Sequence, residues 1–372
     1  MTLYADWNAT HPLRPEAASA MAAWAGIPAN PSSVHASGRA ARRALEEARA
    51  RIAGHLGVAT DGVVFTSGAT EANAAALHGL WAQGHRHVIA SPHEHASLRD
   101  ALEAWQARGG RVTWMPVDPL GRAQPEASDA DVAVLLAAQH ETGVVQPVDR
   151  LLRAAPRAWR HVDATQALAW GALPEADSLA ISAHKVGGPV GIGALVFPGG
   201  GRGFPALFGG SQERGRRAGT TPVALAVGFA AALDACRAGL ADAVPRVLAA
   251  RAAIEAAVLD LGGTVHGRGA ERLPNTVAAS FAGLSGEALV ASLDLRGVAA
   301  SAGAACASGA SEPSPALVAM GWTEPRGLLR LSLGHDIDDR AVATLRAALC
   351  DAVAQARQAE AWAWDGDANA GR

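Results

Sequence analysis

The chain has 372 residues and a single lysine, Lys185, against 31 arginines. Arginine replaces lysine as a surface cation, but its guanidinium stays protonated and cannot form a Schiff base. Side-chain amine chemistry is therefore confined to one position. Cysteine is nearly as scarce. Cys236, Cys306 and Cys350 are odd in number and far apart, which argues against a disulfide framework and against a zinc site built from thiolates. An excess of one charge is also missing. A formal net charge of −3 and a pI near 6.5 argue against nucleic-acid binding through a basic surface. No apolar run reaches the roughly 18 residues of a membrane span. The opening MTLYADWNATHPLRPE lacks a charged-then-apolar leader, so a cytoplasmic protein with no membrane association is expected. What is present is globular: 49% hydrophobic and 18% charged residues. At roughly 150 residues per domain, the length suggests about two domains.

Apolar runs of strand type alternate with helical patterns over most of the chain. Strands are expected at 63–66, 87–90, 112–115, 132–137, 161–163, 179–182 and 192–197, with helices at 38–55, 96–108 and 148–158 between them. This alternation predicts an α/β domain with a mostly parallel sheet, whose ligand sites lie beyond the carboxyl ends of the strands. A Gly-rich stretch at 199–219 interrupts the pattern, and a long Ala-rich helical region follows from about 223 to 261. A short α+β block comes next, with strands expected at 275–281, 298–301 and 327–332. Residues 361–372 lose periodicity and read as a frayed tail.

Several segments carry chemistry. In Phe65-Thr66-Ser67-Gly68-Ala69-Thr70-Glu71-Ala72-Asn73 a strand ends in a small-residue turn and a helix starts, which is the geometry of a phosphate cradle. An ordinary strand–helix connection capped by Thr70 reads the same way. Ser182-Ala183-His184-Lys185-Val186-Gly187-Gly188-Pro189 puts the sole lysine at a strand end, where partial desolvation would lower its pKa and make it a nucleophile. Most lysines, however, are solvated loop residues. His161-Val162-Asp163-Ala164-Thr165-Gln166 places a carboxylate where it could pair with a protonated pyridine nitrogen, or simply cap the next turn. Ala304-Ala305-Cys306-Ala307-Ser308-Gly309 sets a thiol among small residues, suited to an exposed loop nucleophile. Cys236 and Cys350, in Ala-rich helical surroundings, fit the description of inert buried thiols. His93 and His95 have His-x-His spacing but no second ligand cluster, which speaks against a metal; a ring stacked on a planar cofactor is the alternative. The 209–220 loop, dense in Gly and Arg, would suit an anion or plain solvent.

Taken together these segments resemble the cysteine desulfurases of the NifS/IscS type, class V aminotransferase relatives that use pyridoxal 5'-phosphate. The shared motifs run in order: Asp6-Trp7-Asn8-Ala9-Thr10, Asn30-Pro31-Ser32-Ser33-Val34-His35, the 66–73 turn, Glu94-His95, and Glu141-Thr142-Gly143 with Gln146-Pro147. Next come Asp163-Ala164-Thr165-Gln166, Ser182-Ala183-His184-Lys185, the 209–220 loop and Leu273-Pro274-Asn275-Thr276. The series ends with Cys306-Ala307-Ser308-Gly309, Glu312-Pro313-Ser314 and Arg330-Leu331-Ser332-Leu333-Gly334.

The resemblance implies the type I, aspartate aminotransferase-like fold of pyridoxal-phosphate-dependent transferases. A large domain with a mostly parallel seven-stranded sheet would cover 13–245, and a smaller α+β domain would comprise 1–12 and 246–360, leaving 361–372 as the tail. It implies that Lys185 holds the cofactor as a Schiff base and shuttles protons, that Asp163 pairs with the pyridine nitrogen, and that His95 stacks on the ring and serves in acid–base steps. Gln166 would bond the phenolic oxygen. Ala69 through its backbone, Thr70, Ser182 and His184 would hold the phosphate. Thr220 would reach the phosphate of a neighbouring subunit, implying a homodimer. Arg330 would clamp the substrate carboxylate. Cys306 would take the sulfur of L-cysteine as a persulfide, leaving alanine, and pass it to an acceptor for iron–sulfur clusters, tRNA thiolation or a similar use.

The chain departs from the family at Gln139-His140, where the family usually has Asn-Asn. His140 is expected to donate to the phenolic oxygen and, being titratable, to add a pH dependence to the cofactor absorbance. The alternatives are a selenocysteine lyase or an aminotransferase of the same fold, the latter having no need of Cys306. A catalytically silent relative would be expected to lack Lys185 or Asp163.

Overall fold

Short apolar runs and small-residue helices assemble around three sheets in the computed structural model, which describes residues 2–171, 173–200, 207–303, 314–322 and 327–370, with side chains through 359. The chain begins with β1 (Leu3–Tyr4), α1 (Pro15–Ala22), α2 (Ala36–Leu56), β2 (Val63–Thr66), α3 (Ala69–Ala82), β3 (His87–Ala90), α4 (Ala96–Ala107) and β4 (Arg111–Trp114). It continues with β5 (Val132–Leu136), α5 (Val148–Ala154), β6 (Trp159–Asp163), β7 (Ser178–Ser182), β8 (Gly193–Val196), α6 (Val223–Ala238) and α7 (Leu240–Asp260). The last elements are β9 (Thr264–Val265), β10 (Thr276–Ser280), α8 (Gly286–Asp294), β11 (Val298–Ala299), α9 (Pro315–Ala319), β12 (Leu329–Ser332) and α10 (Asp339–Ala370).

The seven-stranded sheet has the order β2-β8-β7-β6-β5-β3-β4. Its pairs are parallel except at β8, which runs against both β2 and β7. Successive side chains of a strand point to opposite faces. Accordingly Val63, Phe65, Leu135, Val162, Leu179 and Ile181 enter one core with Leu45 and Ile52 of α2 and Phe229 and Leu233 of α6. Val64, Val88, Val134, Ala180 and Leu195 enter the other core, with Leu77 and Leu80 of α3 and Leu98 and Leu102 of α4. Both faces are covered, so the strands read as continuous apolar runs. The first core extends into the antiparallel sheet β12-β10-β9 through Val277, Ala279, Leu329 and Leu331. β1 pairs in parallel with β11, and Asp6 bridges Ser332, which ties the first residues to the C-terminal block.

All seven strands of the large sheet fall on the runs expected from the sequence, within a residue or two at their ends. The long helical region is two helices, bent by 69° across Gly239. No single helix among the described residues is long and apolar enough to cross a membrane. The backbone of α10 is helical through Ala370. One expectation fails. Cys350 is exposed and not a buried thiol, because Leu349, Ala352 and Val353 form the inward face of α10 and position 350 turns outward; Cys236 is buried as expected.

One buried ion pair fastens the loop at 207–221 to the sheet edge. Arg49 of α2 meets Glu213 with Nη1 to Oε2 at 2.6 Å and Nη2 to Oε1 at 2.8 Å, and the two side chains are 6% and 2% exposed. Arg49 also donates to Val63 O at 2.7 Å, and Glu213 accepts from Phe65 N at 3.0 Å. Removing one partner of such a pair strands a charge in the interior. Arg49→Met should therefore lower the unfolding free energy by about 3 kcal/mol or more in urea titration. The double variant Arg49→Met/Glu213→Leu should recover much of that loss, because it removes both charges together.

Candidate active site

The turns that follow β2, β5, β6 and β7 open on one cavity of about 340 Å³, where a sheet of this connectivity places a ligand. Ser67, Gly68, Ala69 and Thr70 form its wall after β2, and His95 and Ser97 form the wall at the start of α4. Leu136, Ala138 and His140 come after β5, Asp163, Thr165 and Gln166 after β6, and Ser182, His184 and Lys185 after β7. Close approach at one glycine brings these walls together. A Cβ on Gly193 would lie 2.4 Å from Ile181 O and 2.7 Å from Gly68 Cα, so only glycine lets β8 pass beneath the turn after β2.

Asp163 is oriented by a chain of buried polar groups. Its Oδ2 accepts from Asn73 Nδ2 at 2.7 Å, and its Oδ1 accepts from Thr165 N at 2.9 Å. Asn73 Oδ1 is 2.9 Å from His161 Nε2, and His161 Nδ1 is 2.9 Å from Ser178 Oγ. Lys185 Nζ donates to Asn8 O and to Ala9 O, the latter at 2.9 Å. Gln166 Nε2 donates to the same Asn8 carbonyl at 3.0 Å. Asn8 is itself fixed by Thr276 and Asn275, so the C-terminal block frames the cavity through the N-terminal segment. His95 caps α4: Ser97 N donates to its Nδ1 at 3.1 Å, which leaves the proton of the neutral ring on Nε2. Its ring meets His140 edge-on, with centroids 5.2 Å apart.

The electrostatics follow from enclosure. Burial, with the Asp163 charge nearby, raises the Glu94 carboxyl well above the usual carboxylate range. Burial, together with the Arg330 and Lys185 cations, holds His140 far below the ordinary imidazole range. That direction runs against the expected pH dependence and favours a neutral His140 near pH 7. His184 is likewise pushed down to about 4, by burial and by Lys185.

Of the residues singled out from sequence, Ala69, Thr70, His95, His140, Asp163, Gln166, Ser182, His184 and Lys185 converge on the cavity. His93 does not line it, so the His-x-His pair does not converge. Arg330 lies behind the wall. Its Nη1 donates to His140 O at 3.2 Å and its Nη2 to Asp6 Oδ1 at 2.7 Å. Thr220 is exposed and away from the cavity. Cys306 lies outside the described residues. Sequence reasoning missed Ser97 and the Asn73–His161–Ser178 relay. Asn73 sits three residues past Thr70, one helical turn on, and that spacing was the available signal.

Pyridoxal phosphate fits these walls. His140 Nδ1 and Thr165 Oγ1 are enclosed at the cavity without a hydrogen-bond partner, and both await a polar ligand. The first turn of α3 offers amide donors and the positive end of a dipole for a phosphate, and Asp163 offers a carboxylate for a ring nitrogen.

His93 and His161 are both pushed down to about 4 by burial. An unfolded histidine takes up its proton near 6.5. The folded state therefore resists protonation, so stability is full above about pH 6.5 and is lost as pH falls from there toward 4. Urea unfolding across that window should show the loss, and His161→Gln should make its slope shallower by about one proton.

A model of the family described as Aminotransferase class-V matches residues 3–345. The IscS-like cysteine desulfurase of Mycobacterium tuberculosis is 36% identical, over 96% of this chain and 97% of that protein. A cysteine desulfurase of Cereibacter sphaeroides is 40% identical, over 90% of this chain and 91% of that protein. A solved structure described as a NifS-like protein matches with a TM-score of 0.86 at 28% identity, covering 94% of this chain and 98% of that one. The order of motifs, the seven-stranded sheet and these likenesses agree, and the chain belongs to the class V aminotransferases, a pyridoxal-phosphate family, among the cysteine desulfurases.

Proposed function

We propose that this chain is a pyridoxal-phosphate-dependent cysteine desulfurase that converts L-cysteine to L-alanine and carries the sulfur on Cys306 as a persulfide. The observation that supports it most is the meeting of Lys185, Asp163 and His95 in one cavity, in a chain whose relatives are named for this activity. When bound, the cofactor supplies an electron sink for bond breaking at the substrate.

The chain's own residues divide the remaining work. Lys185 holds the cofactor and moves a proton at the substrate α-carbon. Asp163, fixed by Asn73 and Thr165, holds a proton on the ring nitrogen. His95 covers the ring and offers its Nε2 proton. Gln166 and His140 face the phenolic oxygen. Ala69, Thr70, Ser182 and His184 take the phosphate, and Thr220 takes that of the second subunit of a homodimer. Arg330 binds the substrate carboxylate in competition with Asp6, and its fork suits that anion. The Cys306 thiolate bonds to the substrate sulfur as the carbon–sulfur bond breaks. The carbon keeps the bonding pair and takes a proton, so L-cysteine and a thiol become L-alanine and a persulfide.

The same reading divides the chain into a large domain at 13–245 and a small one at 1–12 and 246–360. It also places the protein in the cytoplasm. The IscS-type names among the relatives favour iron–sulfur cluster assembly, through an acceptor protein, as the destination of the sulfur.

The test is alanine release from L-cysteine by the cofactor-loaded protein. Cys306→Ala should lower it by about a hundredfold or more while the cofactor absorbance persists. Undiminished alanine from that variant would point instead to a lyase with no use for the thiol, and the oxo acid of L-cysteine in place of alanine would point to an aminotransferase. Separately, His140→Asn should leave the number of titration steps in the cofactor absorbance unchanged between about pH 5 and 9. A step seen only in the wild type would show that His140 ionises.

A further inference from the structure

The turn between β2 and α3 is gripped from outside the cavity by one strap, residues 207–221. On one flank Phe65 N donates to Glu213 Oε2 at 3.0 Å. On the other, Ser67 N donates to Glu71 Oε2 at 2.6 Å, and Arg217 closes over that carboxylate with Nε to Oε1 at 2.9 Å and Nη2 to Oε2 at 3.2 Å. The Arg217 and Glu71 side chains are 20% and 24% exposed, so water screens the pair only in part. The strap is shaped to deliver Arg217. Glu213 and Arg214 have φ of +47° and +59°, a left-handed conformation that side chains disfavour, and the Arg49–Glu213 pair holds it.

Glu71 is an awkward neighbour for an anion site. It stands in the first turn of α3, whose free amide groups and dipole attract negative charge. Its bond to Ser67 N fixes the turn whose residues Ser67, Gly68, Ala69 and Thr70 line the cavity. The same carboxylate is a full negative charge close to where an oxyanion would rest, and it opposes binding there. Burial alone would raise its pKa, but Arg217 and the Ser67 N–H hold it below the usual range, so it is ionised.

We infer that Arg217 is a positioning and charge-cancelling residue of the phosphate cradle: it holds the Glu71 carboxylate against the β2–α3 turn and removes its repulsion of a bound phosphate ester. The inference rests on the reading that this turn receives the phosphate of pyridoxal phosphate. A bare Glu71 should be worse for the phosphate than no carboxylate at all, so the two side chains should be strongly non-additive.

The experiment titrates the apoprotein with pyridoxal phosphate and, in parallel, with pyridoxal, which lacks the phosphate, following absorbance at equilibrium. Arg217→Met should weaken pyridoxal phosphate binding about tenfold, the size of a partly buried charged hydrogen-bonded pair, and leave pyridoxal little changed. Glu71→Gln keeps an acceptor for Ser67 N–H and loses the charge, and should stay within about threefold of wild type. The double variant should bind pyridoxal phosphate more tightly than Arg217→Met alone. Arg217→Lys keeps the charge, should stay closer to wild type than Arg217→Met, and gives the comparison if the Met variant does not fold. A double variant weaker than Arg217→Met, or equal weakening toward pyridoxal and pyridoxal phosphate, would mean a merely structural strap and overturns the inference. If wild type binds the two ligands equally well, the phosphate is not held at all, and it is the underlying reading that fails.

Discussion

A mostly parallel sheet covered on both faces has only its strand ends left for chemistry. In this chain β2, β3, β5, β7 and β8 are buried along their whole length, and their side chains alternate between two apolar cores. Polar side chains cannot enter those layers without partners, so they collect in the turns beyond the carboxyl ends. Asp163 closes β6, Ser182 closes β7, and Ser67–Thr70 follow β2. The cavity is the consequence of that constraint. Its floor is the strand ends at Leu136, Asp163 and Ser182, and its walls are the turns that the sheet cannot bury.

Enclosure then decides which of those groups carry charge. Burial pushes the Glu94 carboxyl up, whereas Arg217 and a backbone amide hold the Glu71 carboxylate down. Asp163 keeps its orientation through Asn73, His161 and Ser178, a relay in which the imidazole is neutral and bonded at both nitrogens. The site thus combines fixed carboxylates, neutral imidazoles and an amine, each set by what packs behind it. A group acting on a substrate needs this rigidity, because misplacement by a fraction of an ångström weakens every bond it is asked to make.

Much of this was legible in the sequence, for physical reasons that differ by element. Strands β2, β3, β5, β7 and β8 stood out because burial on both faces leaves apolar runs, and the helices between them because their apolar residues recur at helical spacing. The two-residue strands β1 and β9 were not legible. They are set by partners far along the chain, such as Leu3 against Val298 and Val265 against Ala279. Most of the cavity-lining residues were legible because they lie in motifs at strand ends, whereas Ser97 lies in none. What those motifs did not reveal is who faces whom. Asp6 on Arg330 joins positions 324 apart, and Arg217 on Glu71 joins positions 146 apart. His140 was legible as a residue but not in its ionisation, since that depends first on burial and then on the cations packed around it, not on its neighbours in sequence.

The scarcity of lysine acquires its meaning from this geometry. A cofactor that carries an aldehyde reacts with any unprotonated amine it meets. Guanidinium groups stay protonated and do not compete. A chain that carries its positive charge on 31 arginines and one lysine offers such a cofactor a single side-chain amine. That amine is half-buried at the mouth of β7, held to the Asn8 and Ala9 carbonyls and facing the cavity that Asp163 and His95 also line. Elsewhere the arginines do what lysine does poorly, spanning both oxygens of a carboxylate at Glu213, Glu71 and Asp177. Rigid forks fasten the scaffold, and the one flexible amine is left facing the cavity.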